Sequence, residues 1–182
     1  MIGKKEKVLF DRDKISQTVK RLGQDISNTY KDEPIIAVPL LRGSFVFAAD
    51  LVREITSPTI IDFMTTSSYE DRETSDGRVE ILQDLRYDVE GQHVLIIDDI
   101  CDSGNTLKKI MDIIEKQNPK SIKVAVMLDK PSRRQADITP DFVGQTIEDV
   151  FIVGYGLNYG DYYRNIPYIF TFVDEDEDEK DA

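Results

Sequence analysis

Between residues 35 and 130, short apolar runs alternate with stretches whose apolar residues recur at helical spacing. This alternation constrains the fold more than any other feature, because a strand that is apolar at every position must be covered on both faces. The strand-like runs are residues 35–41 (IIAVPLL), 59–64, 94–97 (VLII) and 122–128 (IKVAVML). Gly43-Ser44 opens a helical pattern through Phe47, Leu51 and Ile55, and residues 106–117 place Leu107, Ile110, Ile113 and Ile114 on one helical face. The alternation predicts parallel βαβ units and an α/β fold, a central, mainly parallel twisted sheet flanked by helices. Pro39 counts against a regular central strand at its own position.

Around this core, Ile15, Val19, Leu22 and Ile26 predict an earlier helix, with Asp11 or Asp13 as N-cap. Residues 70–78 (EDRETSDGR) contain no apolar side chain and predict a mobile loop or hairpin tip. Residues 142–143, 151–153 and 166–172 are β-like segments separated by Gly and Asp. In open α/β sheets ligands bind at the carboxyl ends of the strands, which directs attention to the segments after Leu41, Ile97 and Leu128.

Composition narrows the function classes. Half of the net charge of −12 lies in residues 174–182 (DEDEDEKDA), expected to be a disordered acidic tail; the remaining −6 lies on residues 1–173, expected to be a single domain. An acidic body argues against a nucleic-acid partner, which calls for a basic face. No apolar run approaches the roughly 20 residues of a membrane helix, and the charged start, Met1 to Lys7, predicts no secretory signal. The lone Cys101 fits a reducing cytosol and the chain is expected to be cytoplasmic; with the lone His93 it leaves no cluster for zinc, an iron–sulfur centre or haem. His93 has no acidic neighbour in sequence and is expected at the surface or a strand edge, and Cys101 is expected to be a packing residue.

Residues 94–107 (VLIIDDICDSGNTL) concentrate the chemistry. Asp98 and Asp99 come directly off a buried strand, where unpaired carboxylates are costly, so they must face a polar ligand, a cation or solvent. Ser103, Gly104, Asn105 and Thr106 are small or polar and sit at a helix start, where free amides and hydroxyls form a cradle for a phosphate. A plain strand–turn–helix joint capped by Asp102 or Ser103 would explain the turn, but not the two adjacent acids. No G-x-x-x-x-G-K-[ST] run exists, so this is not a nucleotide P-loop.

This segment resembles the 5-phosphoribosyl diphosphate (PRPP) motif of type I phosphoribosyltransferases. From about Val8 to Phe172 the chain resembles their hypoxanthine-guanine (6-oxopurine) branch. The supporting stretches are Leu41-Arg42-Gly43-Ser44, Ser67-Ser68-Tyr69, Leu128-Asp129-Lys130-Pro131, Pro140 to Gly144, and Phe151 to Leu157 continuing to Arg164. The resemblance implies the type I fold, with a core over about 30–150 and a small hood formed from the N-terminal segment and about 151–173. It also implies transfer of ribose 5-phosphate from PRPP to hypoxanthine or guanine, giving IMP or GMP and pyrophosphate, with Mg2+ as cofactor and a homodimer or homotetramer as assembly. The rival readings are a PRPP-sensing regulator of the same fold that binds nucleic acid, and a xanthine-selective relative.

Residue by residue, the resemblance gives Asp98 and Asp99 the ribose hydroxyls and the metal, with Asp98 standing where relatives often carry Glu. Asp102 takes the proton of the purine's imidazole nitrogen, and Asp102 to Thr106 hold the 5-phosphate. Leu41, Arg42 and Gly43 form a pyrophosphate loop with a non-proline cis peptide, Arg42 replacing a common Lys. Arg164 is a second pyrophosphate ligand. Lys130 donates to the purine's exocyclic oxygen, which would exclude adenine. Phe151 stacks on the base, and Ile152 and Leu157 complete its site. On their own, Lys130 would be a solvated surface lysine, and Phe151 and Ile152 ordinary core. Ser68 and Tyr69 belong to a closing lid. Asn158 stands where relatives carry a metal-supporting Asp, which puts a second metal site in doubt.

Overall fold

The computed structural model describes residues 4–68 and 79–174. In chain order the elements are β1 (Lys4–Phe10), α1 (Arg12–Tyr30), β2 (Ile35–Leu41), α2 (Phe45–Glu54), β3 (Thr59–Ile61), β4 (Met64–Ser68), β5 (Val79–Gln83), β6 (His93–Cys101), α3 (Asn105–Glu115), β7 (Ser121–Asp129), β8 (Phe142–Thr146) and β9 (Ile169–Asp174). A short 3-10 turn, Pro131–Arg133, follows β7. The main sheet runs β5-β4-β2-β6-β7-β8, with β3 also paired to β2. Its pairings are parallel except for the antiparallel β4–β5 hairpin. Among the described residues no helix is long and apolar enough to cross a membrane.

The apolar runs are buried on both faces, as a parallel sheet requires. Alternate residues of β2 and β6 point to opposite sides. Ile35, Ala37, Leu95 and Ile97 join Leu22, Ile26, Phe47 and Leu51 of α1 and α2. Ile36, Val38, Val94 and Ile96 join Leu107, Ile110 and Ile114 of α3. Helix α1 begins where its cap was expected, with the Asp11 carboxylate accepting from Lys14 N at 2.8 Å.

Several expectations are corrected. Pro39 lies inside β2, paired with Ile97. On the other side of β2, β3 pairs only as far as Ala37 and β4 begins at Leu40, so Pro39 falls in a gap between partners where a missing N–H is tolerated. The run 59–64 splits into two strands at Asp62-Phe63. There the buried Asp62 carboxylate accepts from the N–H groups of Phe63, Arg86 and Tyr87 at 2.9, 2.6 and 2.9 Å, and the chain turns to place them. Strands β1 and β5 had not been expected. β1 pairs antiparallel with β9 in a separate two-stranded sheet, in which Asp174, expected in the tail, is paired with Lys4. Residues 175–182 lie outside the described residues, as do Tyr69 and the polar run 70–78.

Candidate active site

A cavity of about 550 Å³ opens at the carboxyl ends of β2 and β6. Its walls are the Leu41-Arg42-Gly43 turn, Thr65 and Thr66 of β4, Leu82 of β5, the stretch from Asp98 to Leu107 without Asn105, and Asn158 with Arg164. The Leu41–Arg42 peptide bond is cis. The turn lies hard against β6: a Cβ on Gly43 would collide with the Asp99 carboxylate, so any other residue would displace that side chain.

Asp98 and Asp99 lie within β6 and not beyond it, since Asp98 pairs with Val126 and Cys101 with Asp129. The strand outlasts its apolar run because β7 keeps the backbone groups paired after the side chains turn polar. Burial, and next the charge of Asp99, pushes the Asp98 carboxyl well above the usual carboxylate range. Burial also raises Asp99, against hydrogen bonds and the attraction of Arg164. A cation beside two adjacent buried acids would favour their charged forms. Among the described residues no three His, Cys, Asp or Glu side chains converge as a metal cage. A pair of carboxylate oxygens suits Mg2+, which is commonly held by one or two carboxylates, with water and substrate oxygens completing the shell.

The cap of α3 is Gly104, and neither Asp102 nor Ser103 takes that place. Gly104 has φ 79°, and a Cβ there would stand 2.6 Å from Ile138 Cγ2. Only glycine meets both conditions readily. Gly104 has no side chain to cap the helix; Asn105 N reaches Ser103 Oγ at a long 3.4 Å, and the amides of Thr106 and Leu107 precede the first turn's bond from Lys108 N to Gly104 O, so they can meet an anion. Asn105 turns away from the cavity, donating from Nδ2 to Gln135 Oε1 at 3.1 Å.

The residues expected to meet a base lie outside the cavity lining. Lys130 is not a surface lysine. It is 6 % exposed, its N–H bonds Cys101 O at 2.9 Å and its Nζ donates to Val150 O at 2.7 Å. Phe151 is not core: the residue is 55 % exposed and its ring meets the Tyr159 ring edge-on with centroids 5.5 Å apart. Ile152 is buried and Leu157 partly so. Arg164 donates to Gly156 O at 2.6 Å, and Asn158 Nδ2 to Gly160 O at 2.6 Å. Ser68 ends β4.

His93 acquires the acidic neighbour that its sequence lacked: Nε2 lies 3.0 Å from Glu33 Oε2 and Nδ1 2.6 Å from Ser121 Oγ, all remote from the cavity. Cys101 is buried, with Arg134 bonding both it and Asp129. Thr65, Thr66 and Leu82 also line the cavity, and no local pattern marks them because a long-range strand pairing brings them to the site. Arg133, which bridges Asp102 and Asp149 outside the cavity lining, and Asp149 itself are exposed charges that carry no signal of their own in the sequence.

The arrangement can hold an anion on free amides, a cation on paired carboxylates and a second anion beside Arg42 and Arg164. Residues 7–160 match the family model for the phosphoribosyl transferase domain. The chain is 45% identical over 172 residues to hypoxanthine phosphoribosyltransferase of Salmonella typhimurium, covering 93% of this chain and 97% of that protein. It is 46% identical over 164 residues to hypoxanthine-guanine phosphoribosyltransferase of Bacillus subtilis, covering 90% and 91%. A crystal structure of a hypoxanthine-guanine phosphoribosyltransferase from Bacillus anthracis superposes with a TM-score of 0.86 at 38% identity, covering 93% of this chain and 99% of that one.

Proposed function

The chain belongs to the phosphoribosyl transferase domain family, and from that premise we propose that it transfers ribose 5-phosphate from PRPP to hypoxanthine or guanine. The observation that carries this reading is the single cavity in which the acidic pair, the uncapped start of α3, Arg42 and Arg164 meet. A sugar bearing a phosphate at one end and a diphosphate at the other needs those three kinds of group in that proximity.

In this reading Asp102, Ser103, Gly104, Asn105 and Thr106 hold the 5-phosphate, with the backbone amides as the chief donors. Asp98 and Asp99 hold the ribose hydroxyls and Mg2+, with Asn158 a weaker contributor to a metal. The ion, when bound, neutralises charge on the diphosphate oxygens. Leu41, Arg42, Gly43 and Arg164 take the pyrophosphate end, for which the planar guanidinium fork is suited. Lys130 addresses the purine's exocyclic oxygen, with Phe151 against the ring and Ile152 and Leu157 beside it. Ser68 and Tyr69 belong to a segment that closes over the reacting centre and excludes water.

The anomeric carbon–oxygen bond breaks, and pyrophosphate leaves with the electron pair. A purine nitrogen supplies the pair for the new carbon–nitrogen bond, and Asp102 accepts the proton that the imidazole ring sheds. Arg42 and Arg164 stabilise the charge that builds on the leaving group. The products are IMP or GMP and pyrophosphate. A homodimer or homotetramer and a cytoplasmic setting, supported by the lone reduced thiol, belong to the same reading.

A spectrophotometric screen of hypoxanthine, guanine, xanthine, adenine and orotate with PRPP and Mg2+ tests it. Hypoxanthine or guanine is expected to give the fastest nucleotide formation, with adenine poor because Lys130 offers a donor to its amino group. A best rate with adenine or orotate would overturn the assignment.

A further inference from the structure

Arg133 has no role in the reading above. It ends the 3-10 turn that follows Lys130, and its guanidinium joins two carboxylates from distant parts of the chain. Nε donates to Asp102 Oδ1 at 2.9 Å, and Nη1 to Asp149 Oδ2 at 3.2 Å. The other oxygen of Asp149 lies 3.7 Å from Lys130 Nζ. Charge therefore alternates from Asp102 through Arg133 and Asp149 to Lys130.

The turn is anchored to the phosphate loop as well. Gln135 and Ala136 donate their N–H groups to Ser103 O at 2.9 and 3.0 Å. Stability does not account for the bridge, because Arg133, Asp102 and Asp149 are all substantially exposed and such pairs stabilise little. Geometry does. A guanidinium is planar and directional, so one that holds two carboxylates fixes their separation.

Lys130 and Asp102 come from the ends of different strands, yet in the proposed reaction they address adjacent positions of one purine edge, the exocyclic oxygen and the imidazole nitrogen. We propose that Arg133 is a positioning residue which, through Asp149, sets the spacing between Asp102 and Lys130 so that a 6-oxopurine meets both at once. This rests on the transferase reading above.

The test uses the full chain, with Arg133→Gln, Arg133→Lys, Asp149→Asn and the double variant Arg133→Gln/Asp149→Asn. Hypoxanthine is varied at saturating PRPP, and PRPP binding with Mg2+ is measured separately by calorimetry. Arg133→Gln is expected to lower kcat/KM for hypoxanthine by about 10- to 100-fold, the scale of a misplaced catalytic group. PRPP affinity is expected to stay within about twofold of the parent. Arg133→Lys, which can hold one carboxylate but not fork between two, should recover part of the loss. The double variant should fall no further than the worse single one, because both changes break one bridge.

If the two losses multiply, or if kcat/KM for hypoxanthine stays within about twofold of the parent, the positioning role is wrong. If PRPP affinity falls in step with kcat/KM, the turn merely supports the phosphate loop and the proposal fails. Should Arg133→Gln not fold, Asp149→Asn breaks the same bridge from its other end and carries the same comparison. A parent protein that forms no nucleotide from hypoxanthine or guanine would overturn the transferase reading instead, an outcome visible before any variant is made.

Discussion

The two sides of the site are built differently. In the proposed reading the 5-phosphate side is one continuous stretch, β6 running through Asp98 and Asp99 into the Gly104 turn and α3. The base side is assembled from the end of β7, the 3-10 turn and the segment from Asp149 to Arg164, held together by Lys130 N on Cys101 O and by the Arg133 bridge. A contiguous site is fixed by backbone geometry, which a single side-chain change barely moves. An assembled site depends on side chains holding separate segments in register. Damage should accordingly divide, with phosphate-side backbone changes felt in stability and PRPP binding and base-side changes felt in purine handling.

Asp102 joins the two sides and should show the largest effect. Asp102→Asn keeps an oxygen for Arg133 but cannot accept a proton. Single-turnover nucleotide formation is expected to fall by about 10²–10⁴-fold, with PRPP affinity nearly unchanged. An unaltered rate would remove Asp102 from proton transfer. Next is Lys130→Met, which removes a buried donor without much change in length. Loss of one charged hydrogen bond is worth about 1.5–3 kcal/mol, so kcat/KM for hypoxanthine should drop by roughly 10- to 150-fold, with the KM for PRPP little moved. Equal losses for both substrates would blur the division drawn here.

The smaller third effect probes the phosphate side through its backbone. Gly104→Ala puts a Cβ at φ 79° and against Ile138. A non-glycine residue in that conformation costs about 1–2 kcal/mol, which should lower the melting temperature and weaken PRPP binding together. Retained stability with weakened PRPP binding would show that the turn is built for the ligand alone.

The same contrast governs what the sequence disclosed. The phosphate side was legible because its residues are neighbours in the chain: the acids, the small-residue turn and the helix lie within residues 94–107. The alternation that predicted the parallel sheet was equally local, and both faces of β2 and β6 are buried accordingly. Where spatial neighbours are far apart in sequence, the reading faltered. β1 is polar along much of its length and exists because β9 pairs with it. Lys130 is buried because Val150 offers its carbonyl, and Phe151 is exposed although its composition suggests core. Asp102 meets Arg133, a partner 31 positions away in the chain.

Asn158 sharpens the comparison at its smallest expected effect, because it belongs to the base-side segment but lines the phosphate-side cavity. Its Nδ2 donates to Gly160 O at 2.6 Å, a bond that closes the local turn and leaves the amide oxygen as the only free acceptor. An amide oxygen can hold a metal-bound water but supplies no charge, so Mg2+ should be bound more weakly than with a carboxylate there. Changes of this kind around metal sites typically cost about 10–100-fold in affinity. Asn158→Asp restores the charge but places a carboxylate oxygen opposite the Gly160 carbonyl, where two acceptors repel. The side chain must rotate or the turn must loosen, and part of the gain is lost. We therefore expect the Mg2+ titration of PRPP binding to shift to lower concentration by about tenfold or less, the bottom of that range, with purine preference unchanged. Superimposable titrations for parent and variant would make Asn158 a turn residue and nothing more. A changed preference between hypoxanthine and guanine would show that the 149–164 segment cannot be altered at one end without disturbing the base at the other, and the division between the two sides would then fail.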